Sequence, residues 1–518
     1  METQNSSLHG AVKDTVSGAT FVKTGEATAL LPVVGGRVTP VTVIATEPLR
    51  QAMDDLCIRQ AINTRLAPGV TDVVLNPDAH GGYGAPIGCV MVSPTHIYPG
   101  PVGVDIKCSM SLLQLDLPEA AVVDRRTRRA LIEAILERTP TGTGRGDRKA
   151  RKGRYVDGAL GMRVVTEGAS AGVLSELGVP LEWAQRCEDR AHVGHDGTTG
   201  ALSNRLDWLL ANDTLKWHGS AQRVFRDKMT QLGSYGGGNH FGECEVVDVD
   251  TTERAKATAD VFGLRDGHVA FLSHCGSRGW GAMLADGQFK SMQQKFAAWG
   301  IPLPGGDRHM VHAPLGSPEA DAYLNDMALG ANFATVNHML INALVLEAFQ
   351  AVIPGTTGKL VYFISHNIAR REIVRDQPAW VHRKGATRAF PAGHHALKET
   401  PFYATGHPIL LPGNPQAGSS VMVADPGAAL SCYSVNHGAG RRMSRTAAHK
   451  TLDQAEVDAA FEDGDILTNC RTYPRDEAPK AYKDFEEVLR SVKLAGLASE
   501  VARLRARFVI KDGDKADD

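Results

Sequence analysis

The run His437-Gly438-Ala439-Gly440-Arg441-Arg442 holds the residue types needed to bind and attack a phosphate. Small residues let backbone amides approach an anion, and a guanidinium can clamp two of its oxygens. Taken alone, the run reads equally well as a glycine-rich turn with a solvated basic edge. Its company gives it weight. Asp105 and Cys108 stand three residues apart in a glycine-flanked segment, and His240, His274 and His366 each sit in Gly-, Asn- or Ser-rich surroundings. One carboxylate, one thiolate and three imidazoles can bind two divalent ions if the sulfur bridges, leaving open positions for a substrate oxygen. Ligand type alone favours zinc, with manganese, cobalt or iron behind it. In an extended chain, positions three apart point to opposite faces, so Asp105 and Cys108 meet at one centre only if the chain bends there. A lone cysteine is otherwise most often a small buried hydrophobe. Asp78 and His80 read either as an outer shell to such a metal or as an Asx turn and its neighbour.

Hydrophobic spacing suggests the elements that present these groups. A short strand is expected over residues 38–45, a helix over 47–66 and a strand over 70–75, followed by a glycine-dense loop over 76–88. Residues 100–108 read as the end of a strand, and 119–138 as a charged amphipathic helix. Helices are also expected over 181–191 and 202–210. The stretch 141–160 reads as a basic, turn-rich insertion or an RNA-contacting loop. Glycines at 236–238 lead into His240, on a backbone that would leave its ring exposed, before a strand over 244–249. Strands over 269–273 and 360–365 deliver His274 with Arg278 and His366 with Asn367. Residues 320–351 form a long helix, mostly scaffold. Residues 412–420 read as a loop before a strand at 421–423, either plain or binding phosphate or a base edge through its small hydroxyl residues. The part from 452 to 507 is expected to be mainly helical, with Val501, Leu504 and Phe508 packed inward, and the ends 1–20 and 513–518 to be mobile. No repeat or linker stands out, and candidate site residues come from nearly the whole length. A single interleaved domain over 1–518, mixed α/β (α+β), is therefore expected.

A chain of 518 residues with 43% hydrophobic and 22% charged residues has ordinary globular composition. Its net charge of −2 excludes a uniformly basic surface that coats nucleic acid, though not a local groove. Basic clusters at 125–129, at 145–154 and at Arg370-Arg371 read as solvated faces or phosphate tracks. Eight cysteines without paired spacing argue against a disulfide framework and leave thiolates free for a metal. Neither a signal segment nor an apolar run long enough for a bilayer is read, so a cytoplasmic protein with no membrane partner is expected.

The strings DAHGGYGAPIG, VDIKC, GGGNHF, HCGSRG, SHNIA, RKGATRAF and HGAGR, in this order over roughly residues 75–511, resemble the RtcB family of RNA ligases. The resemblance implies a mixed fold of central β-sheets surrounded by helices. It also implies an RNA ligase that depends on GTP and two Mn²⁺ ions and joins 2′,3′-cyclic phosphate or 3′-phosphate ends to 5′-hydroxyl ends, in RNA repair or tRNA splicing. Carried over by position, Asp105, Cys108, His240, His274 and His366 resemble the metal ligands, with Cys108 bridging, and His437 the histidine that becomes guanylylated. Asn239, Arg278, Asn367, Arg441 and the loop from Asn414 to Ser419 resemble contacts to the nucleotide phosphates and the RNA end, together with Gly438, Ala439 and Gly440 beside the nucleophile. Glu243, Tyr482 and Lys511 resemble guanine-side contacts. The implied partners are RNA bearing these ends and, as an activator, archease; a monomer is expected. The chain departs from the family pattern at Lys107 and Ser109, where Asn and Gly are usual, at Cys275, at Asn414-Pro415-Gln416 and at His338, where an arginine is usual. These departures fit a divergent paralogue that repairs a particular broken RNA. The competing functions are a two-metal cyclic phosphodiesterase and a catalytically silent RNA-end binding protein.

Overall fold

The computed structural model describes residues 13–16, 18–34, 38–143, 150–212 and 220–513. The ends expected to be mobile, up to residue 12 and from 514, and the 144–149 part of the expected insertion lie outside these. The fold is the mixed α/β type expected, built on two eight-stranded sheets flanked by helices. In the second sheet seven strands run in the order Gly358–Ser365, Ser109–Pro118, His268–Cys275, Phe241–Val249, Ala498–Lys511, Gly418–Ala424 and Pro408–Asn414, and the eighth, Leu467–Thr468, pairs with Ala498–Lys511 off this path. The first carries the hairpin Asp72–Tyr83 and Ala85–Ser93, then Gln377–Lys384, with Asn367–Val374 at its edge.

Several expected elements take a different form. Residues 76–88 are not a loop. They are most of a hairpin whose ladder shifts register between Leu75 and His80 and again before Tyr83. The glycines serve a bulge and a turn, and Gly84 turns the chain at φ 67°. The helix expected over 47–66 is two, Glu47–Gln51 and Asp55–Leu66, because Asp54 caps the second by accepting from the Cys57 amide at 2.8 Å. Residues 100–108 precede the strand Ser109–Pro118 instead of ending one, and 181–191 reduces to the 3-10 turn Leu181–Arg186. Residues 412–420 belong largely to the hairpin Pro408–Asn414 and Gly418–Ala424. The C-terminal part keeps the helices Gln454–Asp463 and Phe485–Leu494 but ends in the 14-residue strand Ala498–Lys511, where Val501, Leu504 and Phe508 are buried as strand residues.

The helix Pro318–Val352 is, by length and composition, able to cross a membrane, contrary to the expectation from sequence; 94% of its most apolar window is buried inside the protein. Phe333, Leu340 and Phe349 are fully buried in the largest core cluster, where each contributes about 1.5–3 kcal/mol of apolar burial. The helix also positions the site. Asn337 Oδ1 accepts from the Gly233 amide at 2.7 Å and its Nδ2 donates to the Gly276 carbonyl at 3.2 Å, tying together the loops before His240 and after His274. His338 bonds the Cys275 carbonyl and the Ser111 hydroxyl, at 3.0 and 2.9 Å.

Candidate active site

Four neighbouring strands of the second sheet each bring one metal-type donor to the same edge. They alternate in direction, so His366 and His274 follow or end their strands while Cys108 and His240 precede theirs. The pairs Ser365↔Ser109, Cys275↔Ser109 and His274↔Phe241 align those ends. The next strand in the order adds Lys511 opposite Phe241. The bend that Asp105 and Cys108 require is present: the Cys108 amide donates to the Asp105 carbonyl at 3.1 Å, and Lys107 between them has φ 55°.

The donors form two groups, Asp105–Cys108–His240 and Cys108–His274–His366, each within 4.8 Å, that share the Cys108 sulfur. His274 Nε2 lies 3.2 Å from that sulfur and 3.3 Å from His366 Nε2. His240 Nε2 lies 2.9 Å from Asp105 Oδ2, while its Nδ1 donates to the Tyr235 carbonyl at 2.9 Å. With the neutral ring's proton on Nδ1, an imidazole lone pair faces a carboxylate oxygen, an approach that needs a cation or a second proton between them. The residues therefore fit divalent metals. Burial holds the His274 and His366 imidazoles well below the usual range, which keeps them neutral as ligands must be. Burial also pushes the Cys108 thiol well up, with Asp105 adding to the effect, and a bound cation reverses that preference. At Asp105 burial is outweighed by the charge and hydrogen bond of His240, which hold its carboxyl down. His240, which the glycine run was expected to leave exposed, is buried at 8% exposure.

The ring of His437 stands 4.7 Å from that of His366, tilted by 39°. His437 Nδ1 lies 2.7 Å from Asp78 Oδ2 and 2.9 Å from the Gly385 carbonyl. Both partners are acceptors, so Nδ1 carries the proton and the Nε2 lone pair is free. Asp78 thus serves the imidazole instead of forming an outer shell to the metal donors. Lys483 Nζ donates to the carbonyls of Pro77 and Ala79, at 3.1 and 2.6 Å, and fixes the bulged backbone that carries Asp78. Gly440, at φ 72°, passes so close that a Cβ there would lie 2.3 Å from the Asp78 carbonyl oxygen.

A cavity of 280 Å³ opens onto these rings. Its wall includes His274, His366, His437, Asn239, Asn367, Asn414, residues 438–440 and Arg441, and on the far side Glu243, Tyr482 and Lys511. Glu477, also in the wall, is the hub of that far side. It accepts from the Tyr482 hydroxyl at 2.5 Å and lies 3.2 Å from Lys511 Nζ, 2.7 Å from Arg445 and 3.3 Å from Arg441. Burial pushes Glu243 up to about 8 despite Lys511, and its Oε1 has no hydrogen-bond partner among the described residues. Lys384 lies over the Tyr83 ring at 3.7 Å, and burial lowers it to about 7.

Two candidates stand elsewhere. Ser419 is buried, and its hydroxyl donates to Glu245 at 2.7 Å inside the sheet, away from the cavity wall. Arg278 is also outside that wall: it donates to Ser234 Oγ at 3.2 Å and the Gly142 carbonyl at 3.0 Å, in the electrostatic range of Asp105. Arg441 is in the wall but turns to Glu477 and the Asp476 carbonyl over the Tyr482 ring. Sequence reasoning missed Lys384 and Glu477 as wall residues and Asp78 as the partner of His437. The first and third lie inside strings already singled out, whereas Glu477 has no motif around it. Lys107 is fully buried, donating to Thr335 Oγ1 at 2.6 Å and the Asp189 carbonyl at 3.0 Å, so it braces the bend from behind.

Residues 60–512 match the family model described as tRNA-splicing ligase RtcB. The tRNA-splicing ligase RtcB of Pyrobaculum aerophilum is 35% identical over 493 residues, covering 91% of this chain and 94% of that relative. The protein of the same name from Aeropyrum pernix is 33% identical, covering 91% and 95%. The RNA-splicing ligase RtcB of Mycobacterium tuberculosis is 33% identical, covering 86% and 98%. On the family match and on identity sustained across nearly the whole of each relative, the chain belongs to the tRNA-splicing ligase RtcB family.

Proposed function

We propose that the protein is a GTP- and manganese-dependent RNA ligase that joins an RNA 2′,3′-cyclic phosphate or 3′-phosphate end to a 5′-hydroxyl end through a guanylylated His437. The observation that carries this is the 4.7 Å approach of the His437 and His366 rings, which sets an imidazole with a free Nε2 beside a set of metal-type donors. The names of the relatives, tRNA-splicing and RNA-splicing ligases, support the choice of RNA. Two divalent cations held by Asp105, Cys108, His240, His274 and His366 would supply positive charge where negative charge builds on phosphate oxygens.

The chain's own residues account for the covalent step. His437 Nε2 attacks the α-phosphorus of GTP: an N–P bond forms, the bond to the β-phosphate oxygen breaks and pyrophosphate leaves. Asp78 keeps the proton on Nδ1 and balances the charge the ring gains as it attacks. Glu243, Tyr482 and Lys511 face the base, while Asn239, Asn367, Asn414 and the backbone of residues 438–440 face phosphate. A cyclic end is first hydrolysed to the 3′-phosphate. The guanylyl group then passes to it, giving RNA-(3′)pp(5′)G, from which the 5′-hydroxyl displaces GMP.

Mass spectrometry of the protein after incubation with GTP and Mn²⁺ tests this directly. The expected result is a covalent GMP adduct that His437→Ala abolishes together with joining. Near-normal joining by that variant ends the proposal. Hydrolysis of cyclic ends with no adduct on the unmutated protein assigns the site to a phosphodiesterase.

A further inference from the structure

A second cavity, of 380 Å³, lies between the edge strand Asn367–Val374 and the segment that follows the strand Ala386–Arg388. One side of it is a column of aromatic rings that rises from the core to solvent. His407 and Phe390, 2% and 4% exposed, are stacked at 5.7 Å; His394 lies parallel to Phe390 at 4.2 Å and 5°; His395, exposed, follows at 4.3 Å. Burial lowers His394 to about 4, so its ring is a neutral heterocycle. The other side carries Arg371, which is exposed and has no ion-pair partner among the described residues. The one carboxylate in the lining, Glu372, is already held by both terminal nitrogens of Arg383, at 2.6 and 2.8 Å. A flat hydrophobic stack ending in solvent beside an uncompensated guanidinium suits a nucleobase with its phosphate.

Two strands lead from the ligase cavity to this one. Asn367, in the wall of the first, and Arg371, in the wall of the second, lie four residues apart on one strand, roughly 13 Å, and on the same face. Gly385, which accepts from His437, is five residues from Phe390, about 17 Å at full extension. A strand of RNA whose end lies at His437 spans that gap in a few nucleotides.

Resting on the ligase proposal, we infer that this cavity is a subsite for single-stranded RNA, where a base a few nucleotides from the joined end stacks on the outer face of His395 and Arg371 meets a neighbouring phosphate. Binding of 3′-phosphorylated RNAs, a dinucleotide and an octanucleotide, to the full-length protein tests it. The octanucleotide is expected to bind more tightly than the dinucleotide. In Arg371→Ala/His395→Ala its affinity falls by about 5- to 150-fold, the loss expected when one stacked base is released, while that of the dinucleotide is unchanged. His395→Phe, which keeps a ring, retains the octanucleotide affinity. Unchanged octanucleotide binding in the double variant, or an equal loss for both RNAs, overturns the inference. Formation of the GMP adduct on His437, measured in the same variants, reads the ligase proposal separately and is expected to be normal.

Discussion

The two ends of the ligase cavity are built on opposite principles. At the metal-donor end, neighbouring strands deliver side chains that are themselves metal-type donors, His240 Nε2 2.9 Å from Asp105 Oδ2 and His274 Nε2 3.3 Å from His366 Nε2. At the far end the charges gather on one carboxylate: Glu477 engages Tyr482, Lys511, Arg441 and Arg445. The first end is a set of converging donors suited to cations. The second is bonded internally around Glu477 and has to exchange some of those bonds for a ligand's. Losing a donor should therefore weaken cation binding and the stabilisation that comes with it, while losing a far-end partner should weaken binding of the ligand held there.

The largest effect is expected at the shared sulfur. Cys108→Ala removes a donor from both groups at once, so manganese affinity should fall by more than the roughly 10- to 100-fold cost of losing an outer-shell partner. Manganese should raise the unfolding midpoint of the unmutated protein and fail to do so in the variant. Unchanged metal stoichiometry by elemental analysis would remove the sulfur from the site. Next comes Asp78→Asn, which keeps the shape but removes the carboxylate charge and leaves only the Gly385 carbonyl to accept from Nδ1. Single-turnover guanylylation should slow by about a thousandfold or more, with manganese binding intact. A loss of metal binding in that variant would return Asp78 to the donor end.

The far end is expected to show itself through pH. Burial raises Glu243 to about 8, so the carboxyl holds its proton below that value. In the proposed contact the N–H donors of guanine favour its ionised form, so binding would release a proton below that value. GTP affinity should rise with pH, by at most about tenfold per unit, and level off above about 8. Glu243→Gln should bind more weakly and without that dependence, and a flat profile in the unmutated protein would rule the carboxyl out as a base contact. The smallest effect belongs to Ser419→Ala: GTP affinity should stay within about threefold while stability drops by about 1 kcal/mol, since the hydroxyl serves Glu245 inside the sheet. A large loss of GTP affinity would bring Ser419 back into the site.

The donor end was the legible one. A histidine or cysteine at a strand end needs a tight turn beside it, and glycine, asparagine and serine mark such turns in the sequence. The bulged hairpin around Asp78 looks like a loop in the sequence for the same reason, because glycine density is alike in both. The final strand was hidden by composition: Ala, Leu, Arg and Glu favour helices, yet Leu504, Ala506 and Phe508 are buried while the arginines at 503, 505 and 507 point outward. That period of two, outvoted by propensity, carried the answer. Glu477 could not be read in advance, because its role depends on partners 5 to 36 residues away in sequence that only folding gathers.

The alternating strand directions at the donor edge restrict where the chain can change in length. An inserted residue next to Cys108 or His274 would turn that side chain to the opposite side of the sheet. The irregularities in this ladder lie back from the donors, between His268 and Ala270 and between Leu360 and Tyr362. Those bulges are slack taken up before the delivery point, and they mark where insertions and deletions can accumulate without disturbing the alignment of the donors.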